Sequence, residues 1–95
     1  MYAMLSLDLD KKTTTTEREK FYAHIRGSGW MKLANVSTTW FTNYRATVKE
    51  DRIIAEVKQD VAAAARYSGV TTYDAVVNVS PSEPSSFSYI SLMVL

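Results

Sequence analysis

Tyr2-Ala3-Met4-Leu5-Ser6-Leu7-Asp8-Leu9-Asp10 is the stretch around which the rest of the chain has to be arranged. Ala3, Leu5, Leu7 and Leu9 alternate with Tyr2, Met4, Ser6, Asp8 and Asp10, the period of two that belongs to a strand with one face against a core. The other face carries an aromatic ring, a thioether and a hydroxyl, then two carboxylates where the strand must stop. Any chemistry is expected at that end.

Working outward, 95 residues leave room for one domain and one modest core, residues 1–95. A core this small makes a homodimer an economical source of further buried surface. A hydrophobic content of 46% separates the chain from disordered sequences. No apolar run approaches the ~20 residues of a membrane helix. The first strand is too short, and too interrupted by Asp8, for the apolar region of a signal peptide, so a cytoplasmic protein is expected. The absence of cysteine accords with that. Residues 1–48 hold seven Lys or Arg against four Asp or Glu, and residues 49–95 hold four against six. That bias falls short of the clustered basic surface of a dedicated nucleic-acid binder and reads as solvated helix faces of different sign.

Beyond the first strand, Thr13 to Thr16 offer hydroxyls to the free amides of a helix start. Thr14 with Glu17, or Thr16 with Glu19, has capping-box spacing. Phe21, Tyr22 and Ile25 form its apolar stripe, and Gly27 and Gly29 stop it, with Trp30 placed to fold back on the last turn. Val36 to Asn43 is rich in β-branched and aromatic residues and marks a second strand, each face carrying one large aromatic, Trp40 or Phe41. An aromatic on an open sheet face is the pattern expected if that face meets a partner or bases. A second helix is expected from about Glu50 to Tyr67, with Thr47 and Glu50 at capping-box spacing, Ile54, Val57, Val61, Ala64 and Ala65 inward, and Gly69 as its stop. Thr71 to Ser80 reads as a third strand ended by Pro81, and Phe87 to Val94 as a fourth.

These elements predict an α+β fold: a ferredoxin-like plait or a close variant, with a four-stranded, mostly antiparallel sheet and two helices on one face. The order read here is β-α-β-α-β-β, whereas the plait runs β-α-β-β-α-β. The match needs one more short strand, sought between Tyr44 and Lys49. The pairings expected are strand one with strand two, and the last two strands as a hairpin.

The first strand ending in aspartate (LSLDLD), the amphipathic helix, the GSGW turn and the strand STTWF together resemble a group of small ferredoxin-like proteins. The group comprises the CRISPR-associated spacer-acquisition nuclease fold, the VapD toxins and the GhoS-type antitoxin ribonucleases, and the likeness spans residues 2–43. The resemblance implies a metal near a dimer axis, held by the aspartate at the end of the first strand, and carries that role onto Asp8. Asp10 has no counterpart there, and the later half departs from the group's order.

Read from the residues alone, Asp8 and Asp10 leave one face of a strand end, where two carboxylates can share a magnesium ion that polarises a phosphate and generates hydroxide. Aspartates in such places also serve as caps and turn residues. Trp30, Trp40, Phe41 and Tyr44 can stack on bases, Trp40 foremost, with Lys32 and Arg45 near phosphates, although a small domain also needs its large aromatics inside. His24 stands alone, with neither cysteine nor a second histidine to join it at a metal, and reads as solvated or packed against its helix. No phosphate loop, dinucleotide motif or nucleophile elbow is present. The resemblance and Asp8 together imply a small dimeric nucleic-acid-processing protein, a metal-dependent endoribonuclease of a toxin-antitoxin or defence module, with RNA as its partner. The alternative, from another class, is a non-catalytic module that binds a partner protein through a sheet face or edge strand. One histidine, no cysteine and no coherent acid-base set favour it.

Overall fold

β1 (Tyr2–Leu9) is a central strand, and the alternation in its sequence is the alternation of its burial. Ala3, Leu5, Leu7 and Leu9 are buried, while Tyr2, Met4, Ser6 and Asp8 face away. The computed structural model describes residues 1–91. After β1 come α1 (Thr15–Gly27), β2 (Met31–Lys32), β3 (Thr39–Asn43), α2 (Glu50–Ser68) and β4 (Tyr73–Ser80). The strands lie in the order β2-β3-β1-β4, and every neighbouring pair is antiparallel. This is the ferredoxin-like plait, α+β, with the β-α-β-β-α-β order intact.

The strand needed to complete that order precedes β3 instead of following it. Met31–Lys32 is two residues long, too short to show alternation, and pairs Met31 with Phe41 and Lys32 with Trp40. Between β2 and β3 the chain turns through Asn35, whose φ of 66° is tolerated by a short polar side chain. Tyr44 to Lys49, the expected location, is not a strand. The expected pairing of β1 with the strand holding Trp40 is present: Leu5 opposes Trp40 and Met4 opposes Phe41.

Both helices start and stop largely where the sequence marks them. Thr14 caps α1: its hydroxyl accepts the Glu17 N–H at 3.1 Å, and its own N–H donates to the Glu17 carboxylate at 2.9 Å, a complete capping box. Glu17 is held below the usual carboxylate range by the backbone bond from Thr14 first, then by the bond with its side chain. α2 has no such cap. Lys49 occupies the position without a side-chain hydrogen bond, so the Thr47–Glu50 pairing does not form. Its stop is as expected, with Gly69 at φ 83°, left-handed backbone that a side chain at Cβ would strain. The inward stripe of α2 is Ile53, Val57, Val61, Ala64 and Ser68: Val57, Val61 and Ala64 are as expected, while Ile53 and Ser68 are buried in place of the expected Ile54 and Ala65. With Phe21 and Ile25 of α1, Trp30, Trp40 and the β1 side chains, these residues make one core on one side of the sheet.

The chain departs from expectation after β4. Residues 87–91 are not a strand and form no hairpin with β4; the remaining residues of the expected strand, Leu92 to Val94, lie outside the described residues. Pro81 and Pro84 each lack a ladder donor, and Ser82 to Ser85 pass beside Tyr2, Met4, Asn78 and Ser80. Ser82 to Ser85 and the strand residues beside them line one cleft on the open face of β1 and β4. No helix among the described residues is long and apolar enough to cross a membrane.

Candidate functional site

The register of β1 against β4 places Asp8 directly opposite Asp74. Directly opposed residues of an antiparallel pair have Cβ atoms about 5 Å apart, so like charges there repel. Both aspartates are exposed and stand on the open face, away from the helices. Two shallow clefts meet at the pair. One, of about 310 Å³, is lined by Asp8, Asp10, Lys11, Thr72 and Asp74 among others. The other, of about 560 Å³, runs past Ser6, Thr38, Asp74 and Val76. The sequence offered Asp74 no signal of its own; only the strand register brings it to Asp8.

Asp10 lines the first cleft but is tied to the turn that follows β1. Its carboxylate accepts the Lys12 N–H at 3.4 Å, its carbonyl accepts the Thr13 N–H at 2.9 Å, and its own N–H donates to the Thr72 carbonyl at 3.2 Å. Asp8 and Asp10 therefore differ in freedom: one side chain is unengaged among the described residues, the other is a turn residue. Among the described residues no group of three His, Cys, Asp or Glu side chains has an arrangement able to hold a metal ion.

Trp40 is not offered to a base. It faces the helices, is 1% exposed and belongs to the core. Tyr22 stacks on its ring at 5.5 Å between centroids, and the Arg26 guanidinium lies 5.3 Å from the ring centre, so α1 covers it with residues four apart. Its indole N–H is buried with no hydrogen-bond partner among the described residues. The aromatic of β3 that does face outward is Phe41, half-buried in a row that runs Met31, Phe41, Met4, Asn78 across the sheet. Lys32 is exposed at the level of Trp40, whereas Arg45 is exposed beyond the far end of β3. Five residues of extended chain separate those levels by ~17 Å. Asp8 lies past the opposite end of β3, so Lys32, Arg45, Trp40 and Asp8 do not converge.

His24 is half-buried, with its ring 5.2 Å from that of Tyr67 on α2, and packs between the helices in the role expected of it. A second polar region lies where the end of β3 meets α2. Trp30 donates its indole N–H to Asp60 at 2.9 Å. Burial, followed by the nearby charges of Asp60 and Glu56, pushes the Tyr44 hydroxyl up to about 12. A phenol with that value remains neutral across the physiological range and is no general base.

What the open face offers is therefore an acidic end at Asp8 and Asp74, a soft apolar band, and β4 beside it. Comparison with protein-family models, with curated proteins and with solved structures finds no match.

Proposed function

We propose that this chain is a non-catalytic interaction module, a ferredoxin-like plait that presents the open face of its sheet and the edge strand β4 to a partner protein. The observation that carries this reading is β4 itself. Tyr73–Ser80 has no fully buried residue, although it contains Val76, Val77 and Val79, and Val76 is 69% exposed. Valines on an edge strand without an inward charge or proline are a template for another chain. The test is association in cells, read as cross-linked species of this chain. Val76→Lys, on the open face, is expected to abolish them while leaving the melting temperature of the domain unchanged. Cross-linking that survives Val76→Lys defeats the reading.

A second reading is favoured by the opposition of Asp8 and Asp74: a dimeric nucleic-acid-processing protein, a metal-dependent endoribonuclease of a toxin-antitoxin or defence module. In it Asp8 and the directly opposed Asp74, two carboxylates rather than a three-residue cage, would share a magnesium ion that keeps most of its waters and brings phosphate to a face that otherwise repels it. Cleavage of single-stranded RNA that needs magnesium and is lost in Asp8→Asn supports it. No cleavage in either condition removes it.

A further inference from the structure

Resting on the interaction-module reading, we infer that the partner of β4 is a second copy of this chain, which lays its own residues 87–91 along the outer edge of β4 while receiving the same segment in return. Two unsatisfied elements point to one another. The first is an edge strand of eight residues, paired with β1 on one side and with nothing on the other among the described residues. The second is Phe87-Ser88-Tyr89-Ile90-Ser91, in which Phe87 is 92%, Tyr89 85% and Ile90 78% exposed.

Phe87 and Tyr89 share one face of an extended segment and Ile90 takes the other, so a strand made from it is apolar on both faces. Added beside β4, such a strand would cover Val76 on the open face and Val77 and Val79 on the side of the helices. In the described path Ser82 to Ser85 border the open face beside Tyr2 and Met4 of β1, and residues 87–91 make no ladder with their own β4. The connecting residues 81–86, extended, span ~20 Å, enough to reach a neighbouring molecule. An exchange of identical elements about a two-fold axis closes on itself and leaves neither edge free.

The experiment is light scattering of the full chain at micromolar concentration, beside two full-length variants. One is the triple change Phe87→Ser, Tyr89→Ser, Ile90→Ser; the other is Ser88→Pro, which denies the segment a ladder without removing an apolar group. None of these side chains belongs to the core, so both variants are expected to retain the circular dichroism and melting profile of the monomeric domain. The wild type is expected at twice the 10.7 kDa chain mass and both variants at the single mass. Amide exchange at the residues of Tyr73–Ser80 whose N–H points away from β1 should be slow in the wild type and fast in the variants. A monomeric wild type overturns the exchange but not the interaction-module reading, which fails separately if Val76→Lys leaves association in cells unchanged. A dimer that persists in both variants also overturns the exchange and moves the self-contact to another surface.

Discussion

β1 and β4 are neighbours of equal length, paired with one another from Tyr2–Ser80 to Leu9–Tyr73, and both sequences alternate. Their fates differ. β1 buries four of its eight residues and β4 buries none. The difference comes from position in the sheet: β1 lies under both helices, whereas β4 lies at the rim. Alternation in a sequence identifies a strand that can be half-buried; it does not identify what will cover it. An edge strand that leaves Val76 69% exposed and only partly covers Val77 and Val79 is thus better explained by assembly than by folding of the single chain.

The largest expected effect breaks the covered side. Leu5→Ala removes a side chain that is 1% exposed beneath Trp40 and opposite Val77, and is expected to cost about 3 kcal/mol by urea denaturation. Val76→Ala, on the neighbouring strand, should shift the stability of the monomeric domain by no more than about 0.5 kcal/mol. Comparable losses at the two sites would show β4 to be covered within a single chain.

The next effect lies at the polar junction of β3 and α2. Asp60→Ala strands the buried Trp30 N–H and is expected to cost about 2 kcal/mol. Ultraviolet titration should find Tyr44 near 12 in the wild type and lower in Asp60→Asn, which removes the charge and retains an acceptor for Trp30. The folded value lies above the ordinary value of 10.0, so the folded state retains the proton longer. Its contribution to stability is complete below pH 10.0 and is lost as the pH rises toward 12.

Much of this fold was legible in the sequence, and the exceptions have physical causes. β1, both helices, their glycine stops and the Thr14–Glu17 cap are local signals, each carried by residues within one turn or one strand. The two-residue β2 has no period to detect and exists because Met31 and Lys32 can complete a ladder against Phe41 and Trp40. The strand expected at Phe87–Val94 has the right alternation, yet a segment becomes a strand only when an edge receives it. At the candidate site, Asp8 was visible as a carboxylate at a strand end. Asp74 was not, because its meaning lies in register across 66 positions of sequence. Trp40 was the aromatic singled out for bases, but the β1 register turns it inward and leaves Phe41 outside.

A smaller effect concerns the start of α1. Thr14→Ala removes the hydroxyl from the Glu17 N–H and is expected to cost about 1 kcal/mol. Because the folded value of Glu17 is depressed, its contribution is present above the ordinary carboxylate value, 4.5, and is lost as the pH falls through the folded value. The gap between wild type and Thr14→Ala should therefore narrow in acid.

The smallest effect, and the only stabilising one, is expected on the open face itself. Asp8 and Asp74 oppose one another, neither in a salt bridge among the described residues, and relieving a directly opposed like-charge pair is worth about 0.2–1 kcal/mol. Asp8→Asn and Asp74→Asn should each raise the melting temperature slightly. The double variant should gain less than the sum, because either change alone removes the repulsion. Salt should raise the wild type more than the variants, since screening acts only where both charges remain. Magnesium then separates the two functional readings. A cation shared by the pair would raise the wild-type melting temperature at millimolar magnesium well beyond the screening effect of the same ionic strength of sodium chloride, and Asp8→Asn would lose that excess. If magnesium and sodium act alike at matched ionic strength, the two carboxylates are the ordinary negative end of a docking face, and the strand beside them, not the pair, is where this protein does its work.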